Sequence, residues 1–187
     1  MMLASHPLML HSVMRYDSHT SRIVLAAKED GNTAARNLMA LAIASAIGEC
    51  ATKRSLEITL VPIPSSRKNI RRRGEKFLIP ILKKAIVVLH QTNPDTSFRI
   101  SELLIQNPRV KEQSGLSLRE RISNMSSALR IDERVLRNWH EKPVILVDDV
   151  ITSGSSMRSA AKVLREMNLT VVAGVSACAT SSQMPIR

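Results

Sequence analysis

Val144-Ile145-Leu146-Val147-Asp148-Asp149-Val150-Ile151-Thr152-Ser153-Gly154-Ser155-Ser156 decides the fold. Its apolar start shows no polar alternation, which suits a strand buried on both faces of a parallel sheet and places Asp148 and Asp149 at the carboxyl end. Ligands of open α/β sheets bind at that end. The turn that follows is small and rich in hydroxyls, and Gly154 can adopt positive φ, so successive backbone N–H groups can curl round an anion.

An amphipathic segment through Met157, Ala160, Ala161, Val163, Leu164 and Met167 follows, with Ser155 or Ser156 as its expected N-cap. The positive end of that helix strengthens the pull on a phosphate, and the hydroxyls of Thr152, Ser155 and Ser156 add donors. Carboxylates beside a phosphate need hydroxyls or a cation. A ribose 5-phosphate unit satisfies both halves, its phosphate in the turn and its diol facing Asp148 and Asp149, with Mg2+ as the cation suited to such oxygens. Either half alone would be an ordinary strand-to-helix turn.

Outward from this stretch, strands alternate with helices. The pattern predicts helices over Ser21 to Ala27 and Thr33 to Cys50, the latter capped by Thr33 with Leu38, Leu41, Ala42 and Ser45 at helical spacing. A first strand is expected over Leu56 to Ile63, then a helix over Glu75 to Leu89 with Phe77, Leu78, Ile81, Leu82 and Ala85 inward, which Pro80 kinks or shortens. Further strands are expected over Phe98 to Ile105, Ala128 to Ile131 and Thr170 to Ala177. A loop at about 106–115 reads as mobile, and Ser117 with Glu120 forms a capping box for a helix through Asn124. The expected organisation is one domain over residues 1–187, with N-terminal helices in 1–55 and an α/β core in 56–187 built on a parallel sheet with right-handed crossovers.

The 187-residue chain suits one such core. With 2% aromatic residues the core must be aliphatic, and base-stacking platforms are excluded as a main device. Cys50 and Cys178 make neither a zinc site nor a disulfide framework, so no structural metal is expected; both read as buried thiols of a cytoplasmic protein. The longest apolar stretch, Leu38 to Ile47, is too short to span a bilayer. A formal net charge of +11 attracts anions without naming one.

Two more segments carry chemistry. Val61-Pro62-Ile63-Pro64-Ser65-Ser66-Arg67-Lys68-Asn69-Ile70-Arg71-Arg72-Arg73-Gly74 joins a strand end, hydroxyls and a basic cluster, which suits concentrated negative charge such as pyrophosphate. The segment Arg109 to Asn124, with Arg109, Lys111 and Gln113 in its polar first half, can close over a bound substrate.

The thirteen-residue stretch resembles the phosphoribosyl pyrophosphate signature of type I phosphoribosyltransferases. Taken with Val61 to Gly74, and with Gln113, Leu116, Arg121 and Asn124, it is similar to the competence-associated ComF branch of that family. Arg15, Tyr16 and Lys28 echo that branch's first helix. The resemblance implies a type I phosphoribosyltransferase-like fold, a mostly parallel central sheet flanked by helices. It implies phosphoribosyl pyrophosphate with Mg2+ as ligand, Asp148 and Asp149 on the ribose, and Thr152, Ser153, Gly154, Ser155 and Ser156 on the 5-phosphate. Ser65, Ser66 and Arg67 would face pyrophosphate, and the acceptor would be a nitrogenous nucleophile of unidentified structure. No general base stands out and none is assigned. The alternative is a non-catalytic relative in DNA uptake or regulation that binds DNA or a nucleotide signal; a homodimer is left open. The chain departs from the branch in lacking its cysteine-rich zinc ribbon, in reading Glu75-Lys76-Phe77 after Gly74, and in carrying Val110 where threonine is expected.

Overall fold

A computed structural model describes residues 7–51, 57–107, 128–137, 139, 142–180 and, as backbone, 183–186. The predicted loop residues Arg109, Lys111 and Gln113, and the predicted helix from Ser117 to Asn124, lie outside the described residues.

The first described element is strand β1 (Leu8–Arg15), where residues 1–55 were expected to hold helices alone. Helices α1 (Ser18–Glu29) and α2 (Thr33–Cys50) follow. Asp17 caps α1 in a reciprocal capping box with Thr20. Asn32, rather than Thr33, caps α2, accepting from the Ala35 N–H at 2.9 Å. Strand β2 (Glu57–Pro62) leads through Ser66, the N-cap, into α3 (Arg67–Arg73) and then α4 (Leu78–Thr92). Because α4 starts at Leu78, Pro80 sits in its first turn, where no N–H is needed, and the helix is shortened rather than kinked.

Strand β3 (Ser97–Ile100) and the short β4 (Leu104–Gln106) divide what had been predicted as one strand. The chain breaks there because Ser101 still donates to the Leu60 carbonyl at 2.9 Å before turning away to pair β4 with β5 (Leu129–Ile131). A single turn, α5 (Glu133–Leu136), precedes β6 (Val144–Ile151), α6 (Ser155–Glu166), β7 (Val171–Ala179) and β8 (Gln183–Ile186).

The central sheet has the order β3-β2-β6-β7-β1-β8, parallel except for β8, which runs antiparallel to β1 at the edge. The α/β class with a mostly parallel sheet flanked by helices is therefore as predicted. Both faces are covered, as the unalternating β6 requires. Ile145 and Val147 face the core under α2 and α4, while Val144 and Leu146 face the core under α6.

Helix α2 reaches the sheet through Met39, Ala40, Ile43, Ala46 and Ile47, whose small alanines permit close approach. Leu38 and Leu41, expected on its inner face, point outward at 41% and 52% exposure. Phe77, Leu78, Ile81, Leu82 and Ala85 are buried as predicted.

Candidate functional site

Strands β2 and β6 are neighbours, with Pro62 level with Val147 and the Ile63 N–H donating to the Val147 carbonyl at 2.8 Å. From here the chain runs outward in opposite directions: β2 continues through α3 and α4 to β3, and β6 through α6 to β7. That divergence opens a crevice at the carboxyl ends of the two strands, the place where open α/β sheets take ligands.

Asp148 and Asp149 lie at the mouth of this crevice. They do not end the strand, as the sequence suggested; β6 continues to Ile151, with Val150 level with Cys178 on β7. The Asp149 N–H donates to Asp148 Oδ1 at 2.8 Å. Part of Asp148 opens onto a cleft, but protein surrounds its carboxyl closely. Burial pushes its pKa well above the carboxylate range and the neighbouring Asp149 pushes it further, against the opposing pull of that N–H and of Lys28. Asp149 carries an ion pair. Its Oδ2 lies 2.7 Å from the ammonium of Lys28, in the last turn of α1.

Beyond the pair, Thr152 to Ser156 and Met157 line a cleft of about 30 Å3 together with Asp148, so the predicted phosphate residues and one predicted ribose residue share one concavity. Gly154 is the N-cap of α6 with φ of 68°, a left-handed turn at the helix N-terminus, and the Ser155 N–H donates to Ser153 Oγ at 3.4 Å; neither Ser155 nor Ser156 is the cap. The Ser153 and Ser155 hydroxyls lie 3.0 Å apart. Thr180 fastens the base of the turn, its N–H donating to the Ile151 carbonyl at 3.0 Å and its hydroxyl to the Thr152 carbonyl at 3.1 Å.

Ser65 and Arg67 line a different and larger cavity, of about 310 Å3, at the end of β2. Its walls are mostly apolar, from Pro62, Ile63, Ile70, Leu78, Leu104 and Val135. Lys76 and Glu102, paired at 2.7 Å, stand on its lining. Ser66 is outside that lining and accepts from the Asn69 N–H at 3.2 Å as the cap of α3, its O–H remaining as the donor for an anionic ligand. The structure thus gathers Asp148 and the 5-phosphate residues in one cleft and two of the three pyrophosphate residues in another, while Asp149, paired with Lys28, lines neither.

Lys28 is the site residue that spacing could not assign. Its ammonium sits 5.7 Å from the centroid of the buried Phe77 ring, which also carries Arg36 and Arg73 at 5.9 and 5.6 Å. Next to it, Glu29 receives Arg72 at 2.8 Å and Arg73 at 3.0 Å; the Arg73 hydrogen bond lowers its pKa most. Arg72 and Arg73 thus join α3 to α1, Arg73 largely buried and Arg72 exposed, as are Arg67, Lys68 and Arg71.

The acidic pair was also expected to hold Mg2+. It fits that ion poorly: Asp149 is committed to an ammonium, and among the described residues no three His, Cys, Asp or Glu side chains converge. Cys178 is buried and Cys50 partly so; burial pushes their thiols up to about 11 and about 12, consistent with inert packing groups. Among the described residues no helix is long and apolar enough to cross a membrane.

No protein-family model matches the chain, and no curated protein does. Among solved structures it is similar to orotate phosphoribosyltransferase from Aeropyrum pernix at 15% identity, over 81% of this chain and 75% of that one, with a TM-score of 0.35.

Proposed function

We propose that this chain is a phosphoribosyltransferase-family protein that binds phosphoribosyl pyrophosphate and transfers its phosphoribosyl group to a nitrogenous acceptor, releasing pyrophosphate. One observation carries the reading: Asp148 and the Thr152 to Ser156 turn line a single cleft where β6 leaves the sheet, beside the outgoing end of β2. A ribose 5-phosphate fits that pairing, because N–H groups at a helix N-terminus attract the phosphate while carboxyls accept from sugar hydroxyls.

In this reading the 5-phosphate rests on the N–H groups of Ser155 and Ser156, and the ribose hydroxyls meet Asp148 and Asp149. The pyrophosphate leaves toward Ser65 and Arg67, with the O–H of Ser66 at its edge. As the bond from C1 to pyrophosphate lengthens, positive charge grows on the sugar ring and negative charge on the leaving group. The carboxyls hold the sugar by its hydroxyls and Arg67 opposes the charge on the leaving group, so positioning and fixed charge carry the rate. Magnesium accompanying the substrate would be held by the substrate's own oxygens and would neutralise part of the diphosphate charge.

Titration calorimetry with phosphoribosyl pyrophosphate tests the reading. The parent should bind, and Asp148→Asn with Asp149→Asn should bind at least about tenfold more weakly, a loss of about 1.4 kcal/mol. Equal affinity in both proteins would refute the assignment.

A further inference from the structure

We infer that Lys28 is the resident cation of the acidic pair, so that a ribose phosphate binds this protein without a divalent ion held by Asp148 and Asp149. The inference rests on the proposed function for its ligand, but not for its protein chemistry.

The geometry is specific. Lys28 Nζ is 2.7 Å from Asp149 Oδ2, with the two side chains at 22% and 18% exposure, so the pair is largely withdrawn from solvent. The turn that delivers the lysine is fastened on several sides. The Ala27 carbonyl accepts from Arg36 Nε at 3.0 Å, the Asp30 N–H donates to the Ala26 carbonyl at 3.2 Å, and Glu29 is gripped by Arg72 and Arg73. Lys28 therefore cannot leave Asp149 by a shift of α1 without breaking those bonds.

An ammonium at hydrogen-bond distance occupies the space a magnesium ion would need, and the ion would have to sit beside a like charge. Mg2+ demands near-octahedral oxygen at about 2.0–2.1 Å and gives up its water reluctantly. The ammonium supplies what the sugar requires: it holds the Asp149 carboxylate in place at 2.7 Å, ready to accept a ribose hydroxyl.

Two readouts test this, on the parent, Lys28→Met, Lys28→Arg, and Lys28→Met combined with Asp149→Asn. In thermal melts with MgCl2 against KCl at matched ionic strength, the parent and Lys28→Arg should be indifferent to magnesium. Lys28→Met should melt higher with magnesium, since the vacated carboxylates then take the ion, and adding Asp149→Asn should abolish that rise. In calorimetry with ribose 5-phosphate, which has no diphosphate, the parent's Kd should be the same in EDTA and in MgCl2. Lys28→Met should lose about tenfold in EDTA and recover in MgCl2.

A parent stabilised by magnesium, a parent that needs it to bind ribose 5-phosphate, or a Lys28→Met protein indifferent to it would each overturn the inference. If the parent bound no ribose 5-phosphate under either condition, the proposed function would fall, and the melts alone would decide the role of Lys28. Should Lys28→Met not fold, the parent's own response to magnesium decides it.

Discussion

Gly174 is the place where a single methyl group tests the arrangement of β1, β7 and α6. It sits on β7 level with Leu10 on β1, and a Cβ there would lie 2.6 Å from Leu10 Cδ2, 3.2 Å from Met157 Sδ and 3.6 Å from Leu8 Cδ2. Leu10 and Met157 are 5% and 1% exposed, so neither has open space to retreat into. Forcing a methyl group into such a core costs about 1–3 kcal/mol. Taking about 2 kcal/mol for Gly174→Ala, the melting temperature of a chain this size should fall by roughly 4–8 °C. Leu10→Ala alone should cost about 2–5 kcal/mol by leaving a cavity. In the double variant the new methyl group enters space the leucine vacated, so the combined loss should undershoot the sum by about 1–2 kcal/mol. Urea denaturation of the four proteins gives the cycle. Strict additivity, or a Gly174→Ala protein as stable as the parent, would refute the placement of β1 against β7.

Three other outcomes follow from the site. Asp148 has its folded pKa raised, so its contribution is fully present below about 3.8 and is lost as pH rises toward about 8; stability should decline over that window, and Asp148→Asn should flatten the decline in a pH series of melts. Glu29→Gln should untie Arg72 and Arg73 from α1 and lower the melting temperature most at low salt, where these ion pairs are least screened. A melting temperature unchanged at every salt concentration would mean the two ion pairs do not fasten α3 to α1. Gly154→Ala should lose about 1–2 kcal/mol of stability from the left-handed turn and should weaken ribose 5-phosphate binding, both read from denaturation and calorimetry.

What could be read from the residues, and what could not, divides by range. Strand β6 and the turn after it were legible because their signal is local: an apolar run, two carboxylates and a glycine at one bend. The inward face of α4 was legible for the same reason. Strand β1 was not, since Leu8 and Leu10 are buried while Met9 and Val13 are half exposed, and the neighbour that makes it a strand, β7, lies at the other end of the chain. Leu38 and Leu41 misled because α2 meets the sheet along its alanines, and hydrophobicity alone does not tell which side is narrow enough to pack. Lys28 escaped assignment to the site because only the docking of α1 onto the sheet brings its ammonium to Asp149, across 121 positions of sequence (149 − 28). Part of the charge of the Arg71 to Arg73 run was misjudged for the same reason, its partner Glu29 being equally remote.

The central claim is that the turn from Thr152 to Ser156 holds the 5-phosphate of a ribose. Amide-detected NMR with ribose 5-phosphate tests it most directly, because a phosphate that accepts from backbone N–H groups moves those resonances before any others. The account predicts saturable shifts at Gly154, Ser155 and Ser156, with smaller ones at Asp148 and Asp149. Saturable shifts confined to α3, or none at the turn, would contradict it.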